Sequence, residues 1–534
     1  MGCNIHLRAA SVLATLTVVA LPSAFGGSDA AGAARVNGSA VVLTDKGLVQ
    51  GAVTEANRTF LGVPYAAPPV GELRWRAPAA AAPWTGVRAA MTPGNKCAQV
   101  EELAGNTLEG SEDCLNLNVY EPAAVSPGGL PVMVFIPGGG YVFGSNTDID
   151  PRALAQKQNM IVVTINYRLG ALGYLATPAL GAENAASSGN FGLLDQQAAL
   201  RWVQANINRF GGDASRTTIA GESAGGAGVL AQVVSPTAAG LFQRAIVESG
   251  AGVGFTTQAA AQAQGARFAA DVGCTDPAEQ LTCLRATDVT TVLTKELLGA
   301  PPLLLPAAMA WSPTVGGPVL PASPAAAFSG GTYNKVPILQ GTNHDEWRLF
   351  AAGAVRRGQP ALTVDSYAGL MRQLFGARAA EVLAVYPSRN YSSPTAAYAA
   401  VATDIGFVCP ARTVDRAVAG TVPLYAYEFN DPNAPAPFVL PDFPLGAYHT
   451  AELLYVFPRT GDARFTSEQV DLSDRMTRLW GNFVAHGSPN PSEPTWTPYT
   501  QTRDAFLSLA PSSTKMINTF SADHHCSFWA TAGV

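Results

Sequence analysis

Gly221-Glu222-Ser223-Ala224-Gly225 is the one G-x-S-x-G run in the chain. With 53 glycines among 534 residues, chance alone supplies roughly 0.3 such matches. Its setting makes it informative. The run follows Thr217-Thr218-Ile219-Ala220, a short strand pattern, and opens a helical stretch that begins at Ala224. A sharp strand-to-helix turn lifts a serine hydroxyl clear of a sheet, so Ser223 is a candidate nucleophile. The plain alternative is a tight turn with an inert serine.

A serine that attacks a carbonyl creates an oxyanion, which backbone N–H groups must meet. Gly138-Gly139-Gly140 stands directly after an apolar run and upstream of the serine. The N–H of Ala224, next to the nucleophile, is a further donor. A phosphate-binding loop is the poorer reading, because no G-K-[ST] follows. Serine also needs a base. Of the six histidines, His6 is N-terminal and His344 precedes the later strands. His486, His524 and His525 fall at a helix end and in the C-terminal tail. His449, after the strand pattern 422–427 and a long loop, is the first choice, since the base comes last in this chain order.

These residues need a scaffold. Leu115, Leu117 and Val119 alternate with polar neighbours, which predicts a half-buried strand. Continuous apolar runs follow at 132–136, 161–165, 217–220, 245–247, 336–339 and 422–427. Short runs apolar on both faces belong in a sheet covered on both sides. Helical patterns at 193–208, 224–234 and 468–486 separate them. The alternation predicts an α/β fold with a large, mostly parallel central sheet flanked by helices and a small N-terminal β region. No repeat interrupts it, so 41–534 reads as one catalytic domain.

The net charge is −6, with no Lys/Arg cluster, which argues against a nucleic-acid partner. His6 and Arg8 precede an apolar run from Ala9 to Leu21, then small residues. That pattern predicts a signal peptide over 1–26 and a secreted, extracellular protein. The run is shorter than the ~20 residues of a spanning helix, so no stable membrane insertion is expected. Residues 27–40 read as a flexible N-terminus. Beyond Cys3, six cysteines remain, an even count that suits disulfides in an exported chain. Proximity favours Cys97 with Cys114 and Cys274 with Cys283, leaving Cys409 with Cys526. No C-x-x-C spacing points to metal. Asn37, Asn57 and Asn390 begin glycosylation sequons.

The chain resembles the type-B carboxylesterase family of the α/β-hydrolase fold, from about Val41 to Trp529. The resemblance rests on Phe60-Leu61-Gly62-Val63-Pro64-Tyr65-Ala66, on Glu112-Asp113-Cys114-Leu115 and on Phe191-Gly192-Leu193-Leu194-Asp195-Gln196. Phe210-Gly211-Gly212-Asp213 and Gly221-Glu222-Ser223-Ala224-Gly225-Gly226 add to it, as does Cys526-Ser527-Phe528-Trp529. It implies a serine ester hydrolase. Ser223 falls on the nucleophile and His449 on the base. Gly139, Gly140 and Ala224 fall on the oxyanion donors. Gly341-Thr342-Asn343-His344-Asp345-Glu346 resembles the acid motif and gives Glu346 the third role. Trp347 stands where the family usually has Gly, which leaves Asp345 as the fallback acid. Glu222, Ser249 and Glu452 match a buried polar network behind the triad, and the three cysteine pairs match the family's pairs.

The implied activity is hydrolysis of a small-molecule carboxylic ester through an acyl-enzyme, with no cofactor and no metal. The rivals are a lipase on longer-chain acylglycerols and a non-catalytic adhesion protein of the same fold. The loop 98–113 carries Glu101, Glu102, Glu109, Glu112 and Asp113 and no aromatic residue. Cholinesterases bind choline on a Trp there, so no choline preference is expected. The segment 301–310 resembles the acyl-pocket wall and holds only aliphatic side chains, which suits short-to-medium acyl or aryl esters. Oligomeric state is not legible.

Overall fold

The computed structural model describes residues 34–36, 39–101, 107–124, 128–299, 311–459, 464–490 and 495–532. The expected signal peptide, most of the 27–40 segment with Asn37, the acyl-wall segment 301–310, and 102–106 within the loop 98–113 lie outside them. Ala33–Val534 clusters as one unit.

Eight strands carry the argument: β1 (Asn116–Pro122), β2 (Leu130–Ile136), β3 (Ile161–Ile165), β4 (Gly212–Glu222), β5 (Arg244–Glu248), β6 (Ile338–Asn343), β7 (Leu424–Phe429) and β8 (Phe506–Leu509). They run β1-β3-β2-β4-β5-β6-β7-β8 within a 14-stranded sheet. Pairing is parallel from β3 through β8, and β1 is antiparallel to β3. An antiparallel N-terminal meander (Ser39–Leu43, Leu48–Val53, Asn57–Pro64) joins at β1. The expected mostly parallel α/β sheet with a small N-terminal β region is therefore what the chain forms.

Every residue of β2 and β3 is buried, as strands covered on both faces must be. Helices α1 (Phe191–Asn206), α2 (Ala224–Val234), α3 (Cys409–Val418) and α4 (Ser467–His486) supply cover. α4 starts on a capping box, Thr466 with Gln469, and stops at Gly487 in the left-handed conformation.

One expectation needs correction. β1 was expected half-buried, yet all seven of its residues are buried. Its asparagines find partners inside: Asn116 Nδ2 donates to the Asn95 carbonyl at 3.0 Å, and Asn118 Nδ2 to that of Asn146 at 3.1 Å. Glu121 faces the Arg58 guanidinium at 3.4 Å. Alternation here marks a buried polar face, not a wet one. The sequon at Asn57 is also inside, with its amide donating to the Arg152 carbonyl at 3.1 Å, whereas Asn390 is exposed.

Disulfides join Cys97 to Cys114, Cys274 to Cys283 and Cys409 to Cys526. No helix among the described residues is long and apolar enough to cross a membrane.

Candidate active site

β4 delivers Ser223 into a strained turn. Its φ is 57° and its ψ −124°, outside the regions a non-glycine residue favours. The turn closes because α2 folds straight back onto β2. A Cβ on Gly225 would lie 2.0 Å from the Ile136 carbonyl oxygen, so only glycine permits that approach. The strain is opposed by the Ser223 N–H, which donates to the Glu248 carbonyl at 2.9 Å on the neighbouring strand.

The loop after β2 abuts this elbow. A Cβ on Gly138 would lie 2.8 Å from the Glu222 carbonyl oxygen and 3.1 Å from Ser223 Cβ. Gly139 and Gly140 take φ of 103° and 61°. The Gly139 carbonyl accepts from the N–H groups of both Val142 and Phe143 at 3.0 Å. No acceptor among the described residues takes the N–H of Gly139 or Gly140. Ala224 is the first residue of α2, so its N–H has no acceptor within the helix. Three free donors therefore flank the hydroxyl-bearing turn.

Glu346 comes from the turn after β6 and is fully buried. Its Oε1 accepts from the Asn343 N–H at 2.8 Å, and its Oε2 lies 2.6 Å from His449 Nδ1. His449 is itself 2% exposed. The structure brings Glu346, not Asp345, to the imidazole. Asp345 is engaged elsewhere, 2.9 Å from Arg348, 3.3 Å from His344, and accepting from the Ala447 N–H. Burial would raise the Asp345 carboxyl, but these partners outweigh burial and hold it below its ordinary range. Asp345 thus fixes the 446–449 loop.

His449 Nε2 lies 3.1 Å from Glu222 Oε1, and no hydrogen bond joins it to Ser223 Oγ. The imidazole thus meets the elbow at the residue before Ser223. Burial, then the charges of Glu346 and Glu248, push the Glu222 carboxyl well above its ordinary range. Burial and the neighbouring carboxyls thus disfavour a charge on Glu222. Asn343 Nδ2 donates to Glu452 and to the Tyr448 carbonyl at 2.7 Å. Burial raises Glu452 as well, with Glu222, Glu248 and Glu346 adding to it. Ser249 is buried just past β5, and its N–H donates to the Gly341 carbonyl at 2.9 Å, but its hydroxyl makes no hydrogen bond among the described residues.

Sequence reasoning missed two features. Glu248 is a fourth carboxylate of this network, paired in register with Glu222 and accepting from Trp480 Nε1 at 2.8 Å. A Glu closing the apolar run 245–247 was its signal. The second is an aromatic shelf. Phe407 and Phe350 pack on the His449 ring at 4.9 and 5.1 Å, with Trp347 against Phe350 at 4.6 Å. Trp347, which broke the expected acid motif, is 2% exposed and buttresses the base.

Among the described residues one group, His344, Glu428 and His524, brings possible metal-ligating atoms within 4.8 Å of one another. Both His524 nitrogens are already engaged, Nδ1 by Asp404 at 2.6 Å and Nε2 by Glu428 at 2.7 Å. That is an imidazolium held by two carboxylates.

The profile described as the Carboxylesterase family matches residues 38–529. The chain is 35% identical to fumonisin B1 esterase of Sphingopyxis macrogoltabida, over 84% of this chain and 82% of that protein. It is 34% identical to para-nitrobenzyl esterase of Bacillus subtilis, over 88% and 94%. A solved structure titled PNB esterase superposes with a TM-score of 0.77 at 31% identity, covering 91% of this chain and 98% of the other.

Proposed function

The chain belongs to the carboxylesterase family and is by that membership a carboxylic ester hydrolase; we propose that it works through a Ser223–His449–Glu346 triad and an acyl-enzyme. His449 takes the proton from Ser223 Oγ as that oxygen bonds to the ester carbonyl carbon. Glu346 holds the Nδ1–H tautomer and stabilises the imidazolium. The N–H groups of Gly139, Gly140 and Ala224 receive the oxyanion. The carbon–alkoxy bond then breaks, and the alcohol leaves with the proton from His449. Water repeats the sequence, frees the acid and restores Ser223.

The observation that carries this reading is the buried 2.6 Å contact between His449 Nδ1 and Glu346 Oε2, with Nε2 of the same ring 3.1 Å from Glu222, the residue before the strained Ser223. It also favours an enzyme over an adhesion protein, which would have no need of the constellation. We place the protein in an oxidising, extracellular setting, as three disulfides and the N-terminal pattern support.

The substrate class is a soluble small-molecule ester. In the loop 98–113, Glu112 is bound by Arg74 at 2.5 and 2.7 Å, and Glu109 by Lys96 at 3.2 Å. The loop is therefore less anionic than its sequence implies, which weakens any pull on cationic esters. Leu108, at 40% exposure, is the one exposed large apolar side chain among its described residues. That is too little for an interfacial lid.

The test is Ser223→Ala assayed on a soluble aryl butyrate, with kcat expected to fall by about 10⁵–10⁶. Retention of a tenth of the activity would refute the assignment.

A further inference from the structure

The oxyanion turn is fastened from outside by one side chain. Gly138 to Gly144 forms a closed turn: Val142 and Phe143 donate to the Gly139 carbonyl, and a Cβ on Gly144 would lie 2.3 Å from the Gly138 carbonyl oxygen. Gln99 comes from a different part of the chain, the short strand Gln99–Glu101 just past Cys97. Its side chain is 2% exposed. The Gly144 N–H donates to Gln99 Oε1 at 2.9 Å, while Gln99 Nε2 donates to the Gly144 carbonyl at 3.2 Å. The same Nε2 donates to the Cys97 carbonyl at 2.9 Å. One planar amide thus reads both backbone groups of Gly144 and ties them to the Cys97–Cys114 hairpin.

We propose that Gln99 is a positioning residue for ester hydrolysis, holding the 138–144 turn so that the Gly139 and Gly140 N–H groups face the developing oxyanion. The inference rests on the proposed triad and oxyanion assignment. Its logic is rigidity. A turn carrying glycines at positive φ has many conformations open to it. Oxyanion donors act only if they are already aimed, because aiming them during reaction cancels their effect. The internal bonds to Gly139 close the turn, the Gly170 N–H holds the Tyr141 carbonyl at 2.7 Å, and Gln99 fixes both backbone groups of Gly144 at the exit. A donor misaimed by a fraction of an ångström weakens the transition state while leaving ground-state binding nearly untouched.

The experiment uses the full chain with Gln99→Met, which keeps the bulk and removes all three side-chain hydrogen bonds, and Gln99→Glu, which keeps the acceptor and loses the donor. Active sites are titrated with a phosphonate, so misfolded molecules are not counted. For Gln99→Met, kcat per titrated site should fall roughly ten- to hundredfold, less than the loss of a donor outright. KM should stay within about twofold. Affinity for an aryl trifluoromethyl ketone, whose hemiketal oxygen mimics the oxyanion, should fall by the same factor as kcat. Gln99→Glu should lose at least as much as Gln99→Met, because its carboxylate oxygen would face the Cys97 and Gly144 carbonyls in a buried place. A per-site kcat within twofold of wild type, or a change confined to KM, would overturn the proposal. Should Gln99→Met give no titratable protein, Gln99→Glu decides by the same two numbers. Activity surviving in Ser223→Ala would instead overturn the triad on which the proposal stands.

Discussion

The acid is the residue whose identity was least secure before the structure. Asp345 and Glu346 are neighbours of like chemistry, yet they hold opposite stations. Glu346 accepts from Asn343 and meets the imidazole, while Asp345 is claimed by Arg348, His344 and Ala447. Glu346→Gln should therefore cost orders of magnitude in kcat, about 10⁴ for the comparable change in a known triad. Asp345→Asn should cost far less and act through the 446–449 loop. Steady-state kinetics of the two variants checks this, and a larger loss in Asp345→Asn would reverse the assignment. Ser223 and the glycine loop stood out because a nucleophile elbow needs a fixed local order of strand, turn and helix, whereas His449 was picked by chain order and then by the family resemblance. Glu248 and Gln99 were not legible as site residues. Each meets the site only through tertiary contact: the Glu that closes the apolar run 245–247 signals a buried acid but not its partners, and nothing in the sequence around Gln99 marks it.

At the scale of elements, apolar runs located β2 through β7 to within a few residues, since strands buried on both faces leave an unbroken hydrophobic signature. β1 misled because alternation reports chemistry, not exposure. Its asparagines are buried against backbone carbonyls. β8, four residues long, was missed altogether. The C-terminal segment bears on β7 and on the π-helical turn Asp404–Val408, which carries Phe407 to the base. The Cys409–Cys526 disulfide ties it down across a sequence separation of 117. Closing a loop of that size stabilises by roughly 4–5 kcal/mol in the chain-entropy model. The double variant Cys409→Ala, Cys526→Ala should show most of that loss in urea unfolding. A loss below about 1 kcal/mol would show that packing around Trp529 and His524 holds the segment without the covalent link.

Several acidic groups are buried among the described residues, and they set the molecule's response to pH. Burial pushes Glu121, Glu248 and Glu296 each up to about 8, against the lowering effects of Arg58, the Trp480 N–H and the Ala171 N–H respectively. For His524 burial alone would lower the value, but Asp404 and Glu428 outweigh it and raise it to about 10. In each case the folded chain binds the proton more tightly than the unfolded chain, whose Glu and His titrate near ~4.3 and ~6.5. The glutamate contribution is full below the unfolded value and is lost as pH rises through about 8. The His524 contribution is full below ~6.5 and is lost as pH rises through its folded value. Both slopes have the same sign. Tm should fall steadily from pH 6 to pH 9, and His524→Gln should flatten the upper part of that fall. Calorimetry across the range checks it, and a level or rising Tm would contradict the protonation states described.

All of this serves one serine. The central claim is most directly tested by treating the purified protein with an aryl phosphonate and mapping the adduct by mass spectrometry. The account predicts one phosphonyl group per chain, on the peptide containing Ser223, formed in step with the loss of esterase activity and absent from Ser223→Ala. Full activity in a chain labelled at Ser223, or inactivation with the label on another residue, would contradict it.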